Sequence, residues 1–224
     1  MAETFLLFKE PQLSSASVIE ERKAVSDVFR KFRETTPLVH CITNYVAMNI
    51  SANVLLAAGG SPAMIHASEE TADFAGIASA LTINIGTLSP PWVEGMKKAI
   101  TAARNADVPW VFDPVGHFAT PYRAAVAQDI LKMGPTILRG NASEIMALAG
   151  QSSEAKGVDS SDPVGDAEAA ALSLATAHNS VVVITGKTDF VTDGNRIAHV
   201  KGGCKLMPQI TAMGCSLTCL MGGF

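Results

Sequence analysis

The sequence predicts an α/β fold: a mostly parallel central sheet flanked by helices, with a β-hairpin near the C-terminal part. Two observations carry that prediction. Short apolar runs that stop at Gly, Pro or a polar residue alternate with longer alanine-rich stretches, which is the rhythm of βαβ units. The rhythm changes after Val181, where extended runs at 190–192 and 196–200 flank a tight Asp193-Gly194 turn.

The elements follow in order. Strand runs occupy 38–42, 62–65, 81–85, 110–112, 136–138 and 181–185, and helical stretches occupy 50–58, 69–79, 92–105, 122–133, 144–149 and 167–177. Runs this apolar suit strands covered by helices on both faces. Ser89-Pro90 and Thr120-Pro121 mark two helix starts, each pairing a side-chain oxygen for first-turn amides with a residue that has no amide to satisfy. Residues 1–17 read as a loose N-terminal extension and 150–165 as a polar loop without periodicity. With no internal repeat or low-complexity linker, 18–224 reads as one domain. Its last segment, 214–224, begins as a helix and stops after about two turns, so the domain reads as truncated at its C-terminus.

Composition narrows the function. The chain of 224 residues is 48% hydrophobic and 17% charged, ample apolar material for a core and the reverse of a disordered chain. A net charge of −4 without any block of like charge argues against nucleic-acid or membrane-surface binding. No apolar run reaches the ~18 residues of a membrane span, and Glu3, Lys9 and Glu10 interrupt the N-terminus against a signal peptide. Cys41, Cys204, Cys215 and Cys219 lack metal-site or disulfide-scaffold spacing, which points to a reduced, cytoplasmic enzyme-sized domain.

In an open parallel sheet, ligands bind beyond the carboxyl ends of the strands. The residues there are Thr43-Asn44, Met64, Asn84 to Thr87, Asp113 to Gly116, Arg139 to Glu144, Thr185 to Lys187 and Thr211 to Cys215. Asp113 either holds Mg²⁺ or caps the turn before Pro114, and Glu144 either joins it or closes a capping box with Asn141. Two carboxylates following two strands suit one hydrated metal between phosphates. Arg123 lies in the first turn of the helix opened by Thr120-Pro121, a place that favours an anion. Thr185 meets a nucleotide or merely turns the chain into the hairpin. Neither a P-loop nor a GxGxxG fingerprint is present, so a phosphate user needs another cradle. The segment from Thr211 to Ser216 supplies one: a glycine-bearing turn feeding a helix, with unpaired amides for a phosphoryl group. Cys215 at that helix start is placed to favour the thiolate.

Six motifs, in this order, resemble the hydroxyethylthiazole kinase family of the ribokinase-like superfamily: 40–46 (HCITNYV), 61–64 (SPAM), 84–88 (NIGTL), 113–116 (DPVG), 140–144 (GNASE) and 211–215 (TAMGC). The resemblance runs from about Thr36 to the last residue. It implies a three-layer ribokinase-like fold and transfer of phosphate from ATP, with Mg²⁺, to the alcohol of 4-methyl-5-(2-hydroxyethyl)thiazole in thiamine salvage. It also implies a homotrimer with thiazole sites between subunits. By motif, it assigns substrate binding to Met64, Asn44 and Ala212, ATP binding to Arg123 and Thr185, and the metal and phosphates to Asp113 and Glu144. Cys215 falls where the superfamily's sugar kinases place an aspartate base, with Gly214 beside it in the phosphoryl-binding turn. Two positions depart from the family's Thr-Gly-Ala-Gly-Cys pattern: Ala212 replaces its substrate-binding glycine and Met213 its alanine. Rival readings are another ribokinase-like alcohol kinase, acting on a pyridoxal- or pyrimidine-type substrate, and a binding domain without turnover.

Overall fold

The computed structural model describes residues 15–150 and 163–224. In chain order these form α1 (Ser15–Thr35), β1 (Leu38–Ile42), α2 (Met48–Ala58), β2 (Ser61–Ala63), α3 (Thr71–Ile77), β3 (Ala80–Asn84), α4 (Pro90–Asn105), β4 (Trp110–Asp113), α5 (Pro121–Leu131), β5 (Ile137–Asn141), α6 (Ala142–Leu148), α7 (Pro163–His178), β6 (Val181–Thr185), β7 (Thr188–Thr192), β8 (Ile197–Lys201) and α8 (Met213–Gly223). Short 3₁₀ turns at His117–Ala119 and Met207–Gln209 complete them.

The strands make one sheet in the order β2-β1-β3-β4-β5-β6-β7-β8. β2 through β6 pair in parallel, whereas β6, β7 and β8 pair antiparallel. The expected hairpin is therefore the outer part of a three-stranded meander, because the chain reverses directly after Thr185. Ser89 and Thr120 cap α4 and α5 through their side-chain oxygens, with proline at the helix start in each case.

Three expectations change. Of the 1–17 extension, residues 1–14 lie outside the described residues, and Ser15 to Ser17 open the long helix α1. Of the polar loop, 151–162 lie outside them, and Pro163 to Gly165 already belong to α7. β5 runs past Leu138 through Arg139, Gly140 and Asn141, because it pairs with β6 as far as Asn141 opposite Thr185. That extension carries a cation to the site.

Side-chain alternation divides the core into two layers. On one face Ile42, Leu81, Ile83 and Phe112 pack with Met96, Ile100, Ile130, Ile145 and Ala171 of α4 to α7. On the other, Val39 and Cys41 of β1 pack with Phe32 of α1, Leu55 of α2 and Cys219 of α8. α8 thus lies across β1, β3 and β4 and brings its N-terminus to their carboxyl ends. Because β1 sits between β2 and β3, the chain leaves it in one direction and returns on the other side. The crevice formed at such a reversal is where open α/β sheets bind ligands.

Candidate active site

Asn44 follows β1, Asn84 ends β3 and Asp113 ends β4 opposite it in register, so three polar side chains converge at the reversal. They are hydrogen-bonded in series. Asn44 Nδ2 donates to Asn84 Oδ1 at 2.9 Å, and Asn84 Nδ2 donates to Asp113 Oδ2 at 2.9 Å. The same Asp113 oxygen accepts from Thr218 Oγ1 of α8 at 2.7 Å and lies 3.4 Å from Arg139 Nη1. Arg139 Nη2 then donates to Thr185 Oγ1 at 2.6 Å. Each strand end from β3 to β6 thus contributes one member.

α8 enters this constellation with its N-terminus uncapped by any side chain. Its first amide with a partner in the chain is that of Ser216, which donates to Ala212 O at 2.9 Å. The amides of Met213, Gly214 and Cys215 have no intrahelical acceptor and form an anion-binding concavity. A Cβ on Gly214 would lie 2.6 Å from Arg139 Nη1 and 2.7 Å from Nη2, which shows how closely the guanidinium approaches the helix start. The guanidinium therefore rests directly on the helix start, adding positive charge to the open amides. Cys215 is partly exposed, and Asn44 Nδ2 approaches its Sγ at 3.4 Å. Ala212 is in the left-handed region at φ 59°, a conformation that costs an L-residue about 1–2 kcal/mol.

Burial dominates the electrostatics. Asp113 is wholly inaccessible, and desolvation pushes its carboxyl up to about 6, against the pull of Arg139, Thr218 and Asn84 and with added repulsion from Glu144. Burial also raises the Cys215 thiol, helped by the Asp113 charge and opposed by the donors of Asn44 and Asn84. This corrects the expectation that the helix start favours a thiolate: dry surroundings and a nearby carboxylate outweigh it.

The two carboxylates expected at a metal are heavily engaged. Glu144 closes the capping box, Oε2 accepting from the Asn141 amide at 2.9 Å, while Oε1 accepts from the Gly116 amide at 2.9 Å. Asp113 Oδ1 is buried with no donor. No three His, Cys, Asp or Glu side chains gather as a metal cage among the described residues. This donor set fits a hydrated divalent ion that arrives on phosphates and reaches the protein through water, since Mg²⁺ keeps most of its waters.

The structure brings Asn44, Ala212, Gly214, Cys215, Asp113 and Thr185 to this one crevice. Met64 follows β2 and packs on the Val39, Cys41 and Cys219 layer beneath α8. Arg123 does not extend toward a ligand: it donates to the carbonyls of Gly116, Gly86, Ile85 and Val115, clamping the β3–α4 and β4–α5 connections together. Asn84 and Arg139 were expected at the ligand edge but without a role, and Thr218 was not expected there. The first two stand at strand exits, and Arg139 is the cation nearest the end of its apolar run; Thr218 carries no local signal at all.

A mostly parallel sheet with an antiparallel margin thus presents an uncapped helix start, a cationic guanidinium and a thiol at its carboxyl edge, an arrangement suited to holding phosphate. The chain belongs to the hydroxyethylthiazole kinase family, whose model matches residues 29–224. It is 59% identical over 211 residues to the hydroxyethylthiazole kinase of Gemmatimonas aurantiaca, covering 94% of this chain and 76% of that one. With the enzyme of Rhizobium etli it shares 62% identity over 192 residues, covering 86% and 74%. The hydroxyethylthiazole kinase structure from Pyrococcus horikoshii superposes with a TM-score of 0.80 at 40% identity, covering 90% and 76%. Pyridoxal kinase from Bacillus subtilis, at 16% identity and a TM-score of 0.62, shares the fold, with 84% and 83% covered.

Proposed function

We propose that this chain transfers the γ-phosphoryl group of ATP to the hydroxyl of 4-methyl-5-(2-hydroxyethyl)thiazole, in thiamine salvage. One observation carries the reading beyond kinship: the open amides of Met213, Gly214 and Cys215 and the Arg139 guanidinium face one point, with Cys215 Sγ and Asn44 on its acceptor side. A loose transition state spreads negative charge over the transferred oxygens, so catalysis comes from positioning and charge stabilisation. The amides and Arg139 supply that stabilisation, and Thr185, held by Arg139, lines the nucleotide side. In this reading Arg139 takes the phosphate-binding role first expected of Arg123, which its carbonyl partners already occupy. Asp113 and Glu144 are the carboxylates that would hold Mg²⁺ through its waters, and the ion would supply neutralisation of the phosphate charge.

Cys215 enters the cycle protonated near neutral pH, since its thiol is raised. Its thiolate form, reached by loss of that proton to solvent, orients the acceptor hydroxyl and takes up the hydroxyl proton late, when bond formation has made it acidic. Met64, Asn44 and Ala212 form the thiazole side. Exposed Tyr45 and Val46 in the β1–α2 connection support assembly into a homotrimer there. Four unpaired cysteines support a reduced cytoplasmic location, and no described helix is long and apolar enough to cross a membrane.

The test is incubation with ATP, Mg²⁺ and hydroxyethylthiazole, with detection of the phosphate ester by mass spectrometry. Pyridoxal and a hydroxymethylpyrimidine run in parallel. Ester from the thiazole alone, or far faster from it, is expected. Preferential phosphorylation of another alcohol would overturn the substrate, and ligand binding without ester would overturn turnover.

A further inference from the structure

Asn84 touches both sides of this site. Its Oδ1 accepts from Asn44 Nδ2 at 2.9 Å and from the Gly86 amide at 2.9 Å; its Nδ2 donates to Asp113 Oδ2 at 2.9 Å. The residue is 2% exposed. A backbone amide can only donate, so the Gly86 amide fixes which end of the Asn84 carboxamide is oxygen. Asn44 is fixed in the same way, because its Oδ1 accepts from the Ala47 amide at 3.0 Å. Both carboxamides are therefore locked in one sense, with their N–H groups aimed at Cys215 Sγ, Asn84 Oδ1 and Asp113 Oδ2.

The consequences differ on the two sides. Toward the acceptor, Asn84 holds the amide that meets the sulfur. Toward ATP, it holds the carboxylate that Arg139 leans on while reaching Thr185. Asp113 Oδ1 has no donor, so Asn84 and Thr218 are the neutral groups that set the rotation of this carboxylate. Close packing reinforces the arrangement, since a Cβ on Gly86 would lie 2.6 Å from Asn44 Nδ2.

We propose that Asn84 is a positioning residue that joins the two halves of the active site, orienting Asn44 and Cys215 for the acceptor and Asp113 and Arg139 for the triphosphate. The proposal rests on the kinase reading above and adds a residue that reaches both ligands without touching either.

Two substitutions separate the halves. Asn84→Ala removes both contacts. Asn84→Asp keeps an acceptor for Asn44 and Gly86 but sets a second carboxylate oxygen against Asp113. Dissociation constants for ATP and for hydroxyethylthiazole are measured by calorimetry at pH 8, alongside melting temperatures. Asn84→Ala weakens both ligands about tenfold, the value of one lost hydrogen bond to a charged group. Asn84→Asp weakens ATP by a similar factor and leaves the thiazole alcohol within about threefold, a split that general loosening does not produce. Equal losses in Asn84→Asp, or ATP affinity within threefold of wild type, overturn the proposal. If Asn84→Ala does not fold, the same-shaped Asn84→Asp decides alone. If the wild type does not take the alcohol, the substrate assigned above fails, and the ATP comparison still decides the bridge.

Discussion

Arg139 Nη2 lies 2.6 Å from Thr185 Oγ1, a contact between two neighbouring parallel strands that sets a guanidinium against the first turn of α8. Arg123, earlier in the same chain, is spent on four backbone carbonyls. The two arginines therefore answer differently to substitution. Arg139→Ala is expected to raise KM for ATP and lower kcat, a loss of about 2–4 kcal/mol in kcat/KM. Arg139→Lys recovers little, because a point charge does not serve Thr185, Asp113 and the helix start together. Arg123→Ala lowers the melting temperature instead, leaving buried carbonyls unpaired. Kinetics and melting curves on the three variants check the assignment.

Gly86→Ala is expected to abolish most activity. The new methyl group would stand 2.6 Å from Asn44 Nδ2 and 2.8 Å from its Cγ, so Asn44 must move away from Cys215. The effect appears mainly in KM for the thiazole alcohol, and steady-state kinetics with each substrate varied in turn measure it.

Ala212→Gly is expected to stabilise the chain. At φ 59° the alanine is held in the left-handed region, and relieving it gains about 0.5–1 kcal/mol after the extra freedom of glycine in the unfolded chain is subtracted. Urea unfolding of both proteins gives the difference. A lower midpoint for the glycine variant would show that the Ala212 methyl makes packing contacts worth more than its strain.

Asp113 gives the fold a pH signature. Its carboxyl is pushed up from 3.8 to about 6 by burial, so between those values the folded state binds more protons than the unfolded one. The contribution is fully present below the lower value and is lost as pH rises through the upper one, by at most about 3 kcal/mol. Asp113→Asn removes this slope. The difference in unfolding free energy between variant and wild type, followed from pH 4 to 7 in urea without nucleotide (a range of about three units around these values), should therefore grow in the variant's favour.

Cys215→Asp is expected to keep phosphoryl transfer, since a carboxylate fills the same proton-accepting place beside Asn44. Cys215→Ala loses about 10²-fold, the lower end of general-base contributions. A folded but inactive aspartate variant beside an active alanine one would remove Cys215 from the proton path.

Much of the scaffold was legible because its signals are local. The runs at 38–42 and 181–185 are strands with those bounds, and Ser89, Thr120 and Asn141 cap helices where their side chains and neighbouring residues said they should. α1 was not anticipated: Val25 and Val28 are exposed, and Phe32 alone of its last turns is buried, so its apolar pattern is weak. In the site, the turn before Cys215 announced itself by glycine and chain position, whereas the arginine did not. Arg123 at a helix start has the better local argument, and it is tertiary neighbours, the carbonyls of two converging loops, that occupy it.

The order of strands and helices, the caps, and the polar residues at each strand exit were fixed by the amino-acid pattern, because propensity, periodicity and turn chemistry act over a few residues. Which of those exits meet was decided by strand pairing and by α8 folding back across β1, β3 and β4. The register that sets Asn84 opposite Asp113, the extension of β5 that delivers Arg139, and the dryness that raises Asp113 and Cys215 all arise between segments far apart in the chain. Hydrogen-bond partners and solvent exclusion are properties of neighbours in space, and no stretch of sequence holds them by itself.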